Sequence, residues 1–164
     1  MRNENSKPIS IRRFNKSDME QMIRLVSEIH SSEDLTAEAR VQFTRELEAN
    51  CREEARFVAD HAGAVVGTMG CGRGPIPSKC ALWADWLIVA PEFRRQGVAT
   101  ALYSEVEAFA IRLNKRYLCL DIGNIDVERA AYAFHSRNGF QITGQIPDYW
   151  GELEHFNIMT KSLI

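Results

Sequence analysis

Leu87-Ile88-Val89-Ala90-Pro91-Glu92-Phe93-Arg94-Arg95-Gln96-Gly97-Val98-Ala99-Thr100 is the stretch on which the reading of this chain turns. Its first three residues close the most apolar run of the sequence, Cys80 to Val89, and Pro91 ends that run as a strand. A turn over Glu92 to Gln96 leads through Gly97 into a long amphipathic helix with the stripe Val98, Leu102, Val106, Phe109, Ala110 and Leu113. The first N–H groups of a helix lack intrahelical partners, and the macrodipole adds positive potential there. Gly97 and Ala99 keep side chains small at that end, and Arg94 and Arg95 add two cations. These are the parts of a pyrophosphate cradle. They are equally the parts of an ordinary helix start. The Gly-Lys-Ser/Thr ending of a nucleotide-hydrolysing loop is absent.

Working outward, Ile9 to Phe14 alternates apolar and polar as a strand does. Ser17 with Glu20 has capping-box spacing before a helix whose stripe is Met19, Met22, Ile23, Val26 and Ile29. Thr36 is placed to cap a second helix reaching about Asn50, with Ala39, Phe43 and Leu47 on its apolar face. Arg56 to Asp60 and Ala64 to Gly70, with Gly63 between them, read as a hairpin. After the long helix come a strand at Tyr117 to Ile122 and a helix from about Asp126 to Asn138. Two strands close the chain, Phe140 to Gln145 and His155 to Lys161. Strand, helix and strand in succession predict a right-handed unit with parallel strands, and short turns predict antiparallel pairing before it. The expected architecture is α/β with a mixed sheet of six to seven strands and about four helices. No linker or repeat interrupts residues 1–164, so one domain is expected.

A chain of 164 residues, 45% hydrophobic and 26% charged, has the makeup of a globular domain. Its net charge of -2 supplies no global field for a polyanion, so nucleic acid is not expected as a partner. No run approaches the ~20 apolar residues of a membrane span. The start lacks the apolar core of a leader peptide, so a cytoplasmic location with no membrane partner is expected. Cys51, Cys71, Cys80 and Cys119 form no CxxC pair and no metal-ligand spacing with the four histidines; they read as free thiols, and no metal is expected. The sequence leaves a monomer and a homodimer both open.

The stretch Arg94-Arg95-Gln96-Gly97-Val98-Ala99 resembles the signature of the GNAT acetyltransferase superfamily: Arg or Gln, then Gly three residues on, then Gly or Ala two further. A second pattern supports it, an Ala-rich helix carrying Phe134 followed by Asn138-Gly139-Phe140 at the start of a strand. The resemblance covers Ile9 to Lys161 and implies acetyl-CoA as co-substrate. It places the pantetheine arm on the backbone of Leu87, Ile88 and Val89. It places the pyrophosphate on the amides of Arg95, Gln96, Gly97, Val98, Ala99 and Thr100, with Arg94 beside them. It implies a bulge in the strand before the signature that aims an N–H at the thioester carbonyl. The acceptor amine attacks directly, with no covalent enzyme intermediate.

An amine attacks only as the free base. Reaching it at pH 7 costs roughly 4–5 kcal/mol for a lysine-like amine and about 1 for an α-amine. A positioned base is therefore expected, and it typically contributes about 10² to 10⁴ in rate. Asp121, at the end of its strand, is similar in position to a carboxylate of the ribosomal-protein-alanine and aminoglycoside 6′ N-acetyltransferases. Asp85, which alternates with Trp83, Leu87 and Val89, is the second candidate. Each is also readable as a hydrogen-bonded strand-end carboxylate. His135 stands where the family usually carries the Tyr that protonates the departing thiolate. An imidazolium there would serve as acid, and a satisfied core histidine is the other reading. The family's helix Asn is Glu128 here; either Asn124 takes over its contact or nothing does.

Acceptor specificity in the family falls on the first two helices and the segment before the last strand, here Glu33, Asp34 and Glu38 and then Pro147 to Glu154. Tyr149 and Trp150 among carboxylates suit a cation. That segment resembles N-terminal protein acetyltransferases, whereas the Arg94 loop and His135 resemble the aminoglycoside type. The expected acceptor is therefore a primary amine of a small molecule or of a protein N-terminus. The alternative function is a domain that holds acyl-CoA as sensor or scaffold without turnover.

Overall fold

A computed structural model describes residues 8–29 and 34–164. Seven strands form one sheet in the order β1-β2-β3-β4-β5-β7-β6: β1 Ser10–Arg13, β2 Ala55–His61, β3 Ala64–Gly72, β4 Ala81–Val89, β5 Tyr117–Ile122, β6 Gln141–Gly151 and β7 Glu154–Ser162. The helices are α1 Met19–Ser27, α2 Thr36–Ala49, α3 Val98–Arg112 and α4 Arg129–Arg137. β1, β2 and β3 pair antiparallel, as do β5 with β7 and β7 with β6; β4 and β5 pair parallel. The mixed sheet with four helices matches the architecture read from the sequence. The chain divides into two compact units, Met1–Gly72 with Asp85–Phe109, and Arg73–Ala84 with Ala110–Ile164.

In the first unit the β2–β3 hairpin turns through Ala62 (φ 56°) and Gly63 (φ 89°), the left-handed pair of a type I′ turn. The pleat sends alternate β2 residues to opposite faces. Val58 joins Met22, Val26, Ala39, Phe43 and Ile88 in a cluster under α1 and α2. Its neighbour Phe57 meets Phe109 of α3 edge-on at 6.5 Å. Gly67 allows close approach on that second face: an added Cβ would sit 3.0 Å from the Ile88 carbonyl and 3.2 Å from Val98 and Leu102.

Two helix starts differ from the sequence reading. The capping box is formed by Asn15 and Asp18, not by Ser17 and Glu20: Asn15 Oδ1 accepts from Ser17 N at 2.9 Å and Asp18 Oδ2 from Asn15 N at 2.8 Å. The box opens a 3-10 turn, Lys16–Asp18, ahead of α1. At α2 the cap position is Leu35, with no side-chain cap, and Thr36 is the first helical residue; its N–H donates to Asp34 Oδ1 at 2.9 Å. The Ser17 and Thr36 hydroxyls are turned to donate instead, to Asn15 Oδ1 and Asp34 Oδ1. Glu33 lies outside the described residues.

In the second unit the parallel ladder spans three pairs, Ala81–Tyr117, Leu82–Leu118 and Trp83–Cys119. Buried Lys115 donates to the carbonyls of Ser78 and Lys79 at 3.2 Å, anchoring the chain ahead of β4. All four cysteines are free thiols. Among the described residues no helix is long and apolar enough to cross a membrane.

Candidate functional site

The first unit carries the entrance to α3. Ala90 N donates to Val66 O at 2.9 Å, which fixes where β4 ends, and Pro91–Phe93 makes one 3-10 turn. Phe93 packs on the His61 ring at 5.2 Å. Arg94 turns back to donate from Nε to Val89 O at 3.0 Å, and Gln96 Nε2 donates to Glu92 O at 2.7 Å. Arg95 (φ 60°) and Gly97 (φ 83°) are both left-handed, so the chain doubles sharply before the helix. The first intrahelical bond runs from Ala101 N to Gly97 O at 2.9 Å, so the amides of Val98, Ala99 and Thr100 precede the ladder. Arg94, Arg95, Gln96, Gly97 and Thr100 are exposed, and a Cβ added at Gly97 would meet nothing within 4 Å. That corner combines donors, positive potential and open space.

The strand leading there is not regular. Trp86 sits in mid-β4 with φ 48°, a conformation L residues rarely take. The regular alternation expected of Asp85 fails at that kink. Asp85 and Trp86 are consecutive, yet both side chains bond to Gln42 of α2: Gln42 Nε2 donates to Asp85 Oδ2 at 2.7 Å, and Trp86 Nε1 donates to Gln42 Oε1 at 2.8 Å. Asp85 Oδ1 accepts from Arg56 Nη2 at 2.6 Å. Both carboxylate oxygens are thus engaged. Leu87 and Val89 are half-buried and Ile88 is buried.

The second unit carries the remaining expected residues. Asp121 is exposed on β5 opposite Ile158. The end of β5 is pinned at Gly123, whose N–H donates to Glu128 Oε1 at 3.0 Å and whose carbonyl accepts from buried Asn157 at 2.7 Å. Burial raises the Glu128 carboxyl above its ordinary value; the Gly123 bond opposes this and the charge of Asp121 adds to it. Asn124 is occupied by the turn: Oδ1 accepts from Asp126 N at 2.9 Å and Nδ2 donates to Leu153 O at 3.2 Å. His135 is buried between Phe134 and Phe140, with ring centroids at 5.6 and 5.8 Å, and its Nδ1 has no hydrogen-bond partner. Burial pushes the ring down to about 4. At pH 7 it is neutral, so the imidazolium of the expected acid role is not the resting form. Tyr149 and Trp150 lie on β6 rather than in a loop, 53% and 61% exposed, and stack with Phe156 at 5.1 and 6.0 Å.

Residues 52–142, more than half of the chain, match the family described as the acetyltransferase (GNAT) domain. The chain belongs to the GNAT acetyltransferase family. No curated protein matches it significantly. Solved GNAT structures share its fold. A GNAT-family protein from Desulfovibrio desulfuricans superimposes with a TM-score of 0.83 at 18% identity, covering 96% of this chain and 100% of that one. An aminoglycoside 6′-N-acetyltransferase complexed with coenzyme A gives 0.75 at 17%, covering 94% and 97%. YncA from Salmonella typhimurium, with its cofactor acetyl-CoA, gives 0.76 at 19%, covering 96% and 95%.

Sequence reasoning missed the Gln42, Glu46 and Arg56 group behind the kink of this GNAT chain. Gln42 lies on the polar side of a thin amphipathic pattern, and Arg56 reads as a surface strand residue. The one available signal was the pairing of a charged residue with an otherwise apolar strand, Ala55 to Ala59.

Proposed function

We propose that residues 1–164 act as one N-acetyltransferase domain, transferring acetyl from acetyl-CoA to a primary amine of a small molecule or of a protein N-terminus. The observation that carries this reading is the α3 entrance, where left-handed Arg95 and Gly97 lead into the amides of Val98 to Thr100 ahead of the helical ladder and the space beside Gly97 is open. An anion is favoured there by unpaired donors and by the dipole of a 15-residue helix. In this reading Arg95 to Thr100 hold the pyrophosphate, with Arg94 tied to Val89 as a fixed neighbour. The backbone of Leu87, Ile88 and Val89 takes the pantetheine amides. Acetyl-CoA supplies the activated acyl group, and no metal is required.

Asp121 is the proposed base: it is an exposed carboxylate at a strand end, able to take a proton from a protonated amine. Asp85 acts by position in this reading, because Arg56 and Gln42 already engage both of its carboxylate oxygens. His135 in its neutral form offers a ring hydrogen bond rather than an imidazolium proton. Tyr149 and Trp150 present ring faces suited to a cationic acceptor.

Calorimetry with CoA tests the cradle. Micromolar binding by the native chain and loss of binding in Gly97→Glu are expected; absence of binding by the native chain would sink the reading. A second reading, an acyl-CoA-holding domain without turnover, is favoured by the neutral His135. Release of free thiol across a broad amine panel separates the two.

A further inference from the structure

The geometry points to Gln42 as a positioning residue for the transfer step, holding the left-handed kink at Trp86 so that β4 presents its peptide groups to the acyl end of the bound co-substrate. This rests on the reading above, in which Leu87 to Val89 line the pantetheine arm. Four observations carry it. Trp86 keeps φ at 48° in the middle of a nine-residue strand, a strained conformation that persists only where surroundings impose it. Consecutive strand side chains point to opposite faces, yet Asp85 and Trp86 both reach the same amide, Gln42. That sharing is possible only with the kink in place.

The orientation of the Gln42 amide is also determined by its neighbours. An indole N–H can only donate, so it requires Oε1; ionised carboxylates can only accept, so they require Nε2. Nε2 duly donates both to Asp85 Oδ2 at 2.7 Å and to Glu46 Oε1 at 2.9 Å. Finally, Arg56 sits against both of those carboxylates. Its side chain is closed to solvent and it donates to Glu46 Oε2 at 2.7 Å, Glu46 Oε1 at 2.8 Å and Asp85 Oδ1 at 2.6 Å. Gln42, Asp85, Arg56 and Glu46 form a closed ring of hydrogen bonds, and Trp86 is its tether to the strand. The guanidinium lies over the Phe43 ring at 4.4 Å and against Gly70, where an added Cβ would collide with it. A strained backbone gripped by five side chains is more than packing needs.

Gln42→Met keeps side-chain volume and removes both halves of the amide; Trp86→Phe keeps an aromatic ring beside Phe43 and removes the N–H together with part of the ring volume. Each variant is titrated with CoA and with acetyl-CoA by calorimetry, then assayed with an amine that the native chain accepts. CoA affinity is expected to stay within about twofold, because the α3 entrance is untouched, while the native preference for acetyl-CoA over CoA is lost. The turnover number should fall about tenfold or more with acceptor KM within about threefold, and the double variant should be no worse than the poorer single. A structural defect would lower both affinities together, and that outcome overturns the proposal. So does retention of preference and turnover within about twofold, or equal affinity of the native chain for the two ligands. A native chain that binds neither ligand refutes the underlying reading instead.

Discussion

Arg56 donates to Asp85 Oδ1 across 2.6 Å from a side chain that water does not reach, while Asp85 itself is 36% exposed. Burial works against the guanidinium charge, and Asp85 and Glu46 outweigh it, so Arg56 stays protonated above its ordinary value. Removing one partner leaves a buried cation half-neutralised. Asp85→Ala is expected to lose about 3–5 kcal/mol in urea unfolding. Asp85→Asn should lose less, since an amide oxygen still accepts.

For Asp121 the expectation concerns the pH dependence of the rate. Asp121→Asn should slow acetylation of a lysine-like amine by about 10² or more at pH 7 and much less at pH 10, where the amine is already free base. An undiminished rate at pH 7 would clear Asp121 of the base role.

His135 makes stability depend on pH in a window set by its two values. The unfolded ring takes up a proton below its ordinary 6.5, whereas the folded ring refuses one until about 4. The unfolded state therefore binds more protons between these limits, and stability falls as pH drops from 6.5 toward 4, by up to about 3 kcal/mol. Denaturant titrations of His135→Leu should show that portion of the slope removed.

Asp18 works in the opposite sense. The hydrogen bond from Arg12 holds its carboxyl below the ordinary 3.8, against the effect of burial. Arg12 also donates to Asp60 at 2.8 Å, so one guanidinium joins β1, the α1 cap and β2. The stability this contributes is present above pH 3.8 and is lost as pH falls through the folded value. Asp18→Asn should lose about 2 kcal/mol at pH 7 and flatten the acid limb, as followed by circular dichroism against urea.

Gly97→Ala separates conformation from crowding. No atom lies within 4 Å of the new methyl, so any loss comes from φ at 83° alone. About 1 kcal/mol of stability should go, read as a lower Tm.

The strands and helices were legible from Ile9 to Lys161 because periodicity and breakers are local. The apolar run ending at Pro91, the Gly63 turn and the stripe from Val98 to Ala110 each state their own structure. Cap positions were less legible: Asn15 competes with Ser17 over two residues and spacing alone does not rank them, while α2 starts at Thr36 with no side-chain cap at all. β6 runs on to Gly151 through Pro147 and left-handed Asp148, because β7 pairs with it beyond the bulge.

What the sequence by itself determined was the order of elements and the helix start at the α3 entrance, since the Pro91 stop, Gly97 and the stripe from Val98 are features of neighbouring residues. Only the tertiary structure decided that His135 is neutral, that Asp85 is held rather than free, and that Gln42 and Arg56 stand behind Trp86. Charge state and hydrogen-bond partnership depend on which distant residues exclude water and face one another. Residues 42, 56 and 85 are brought together by packing and not by spacing.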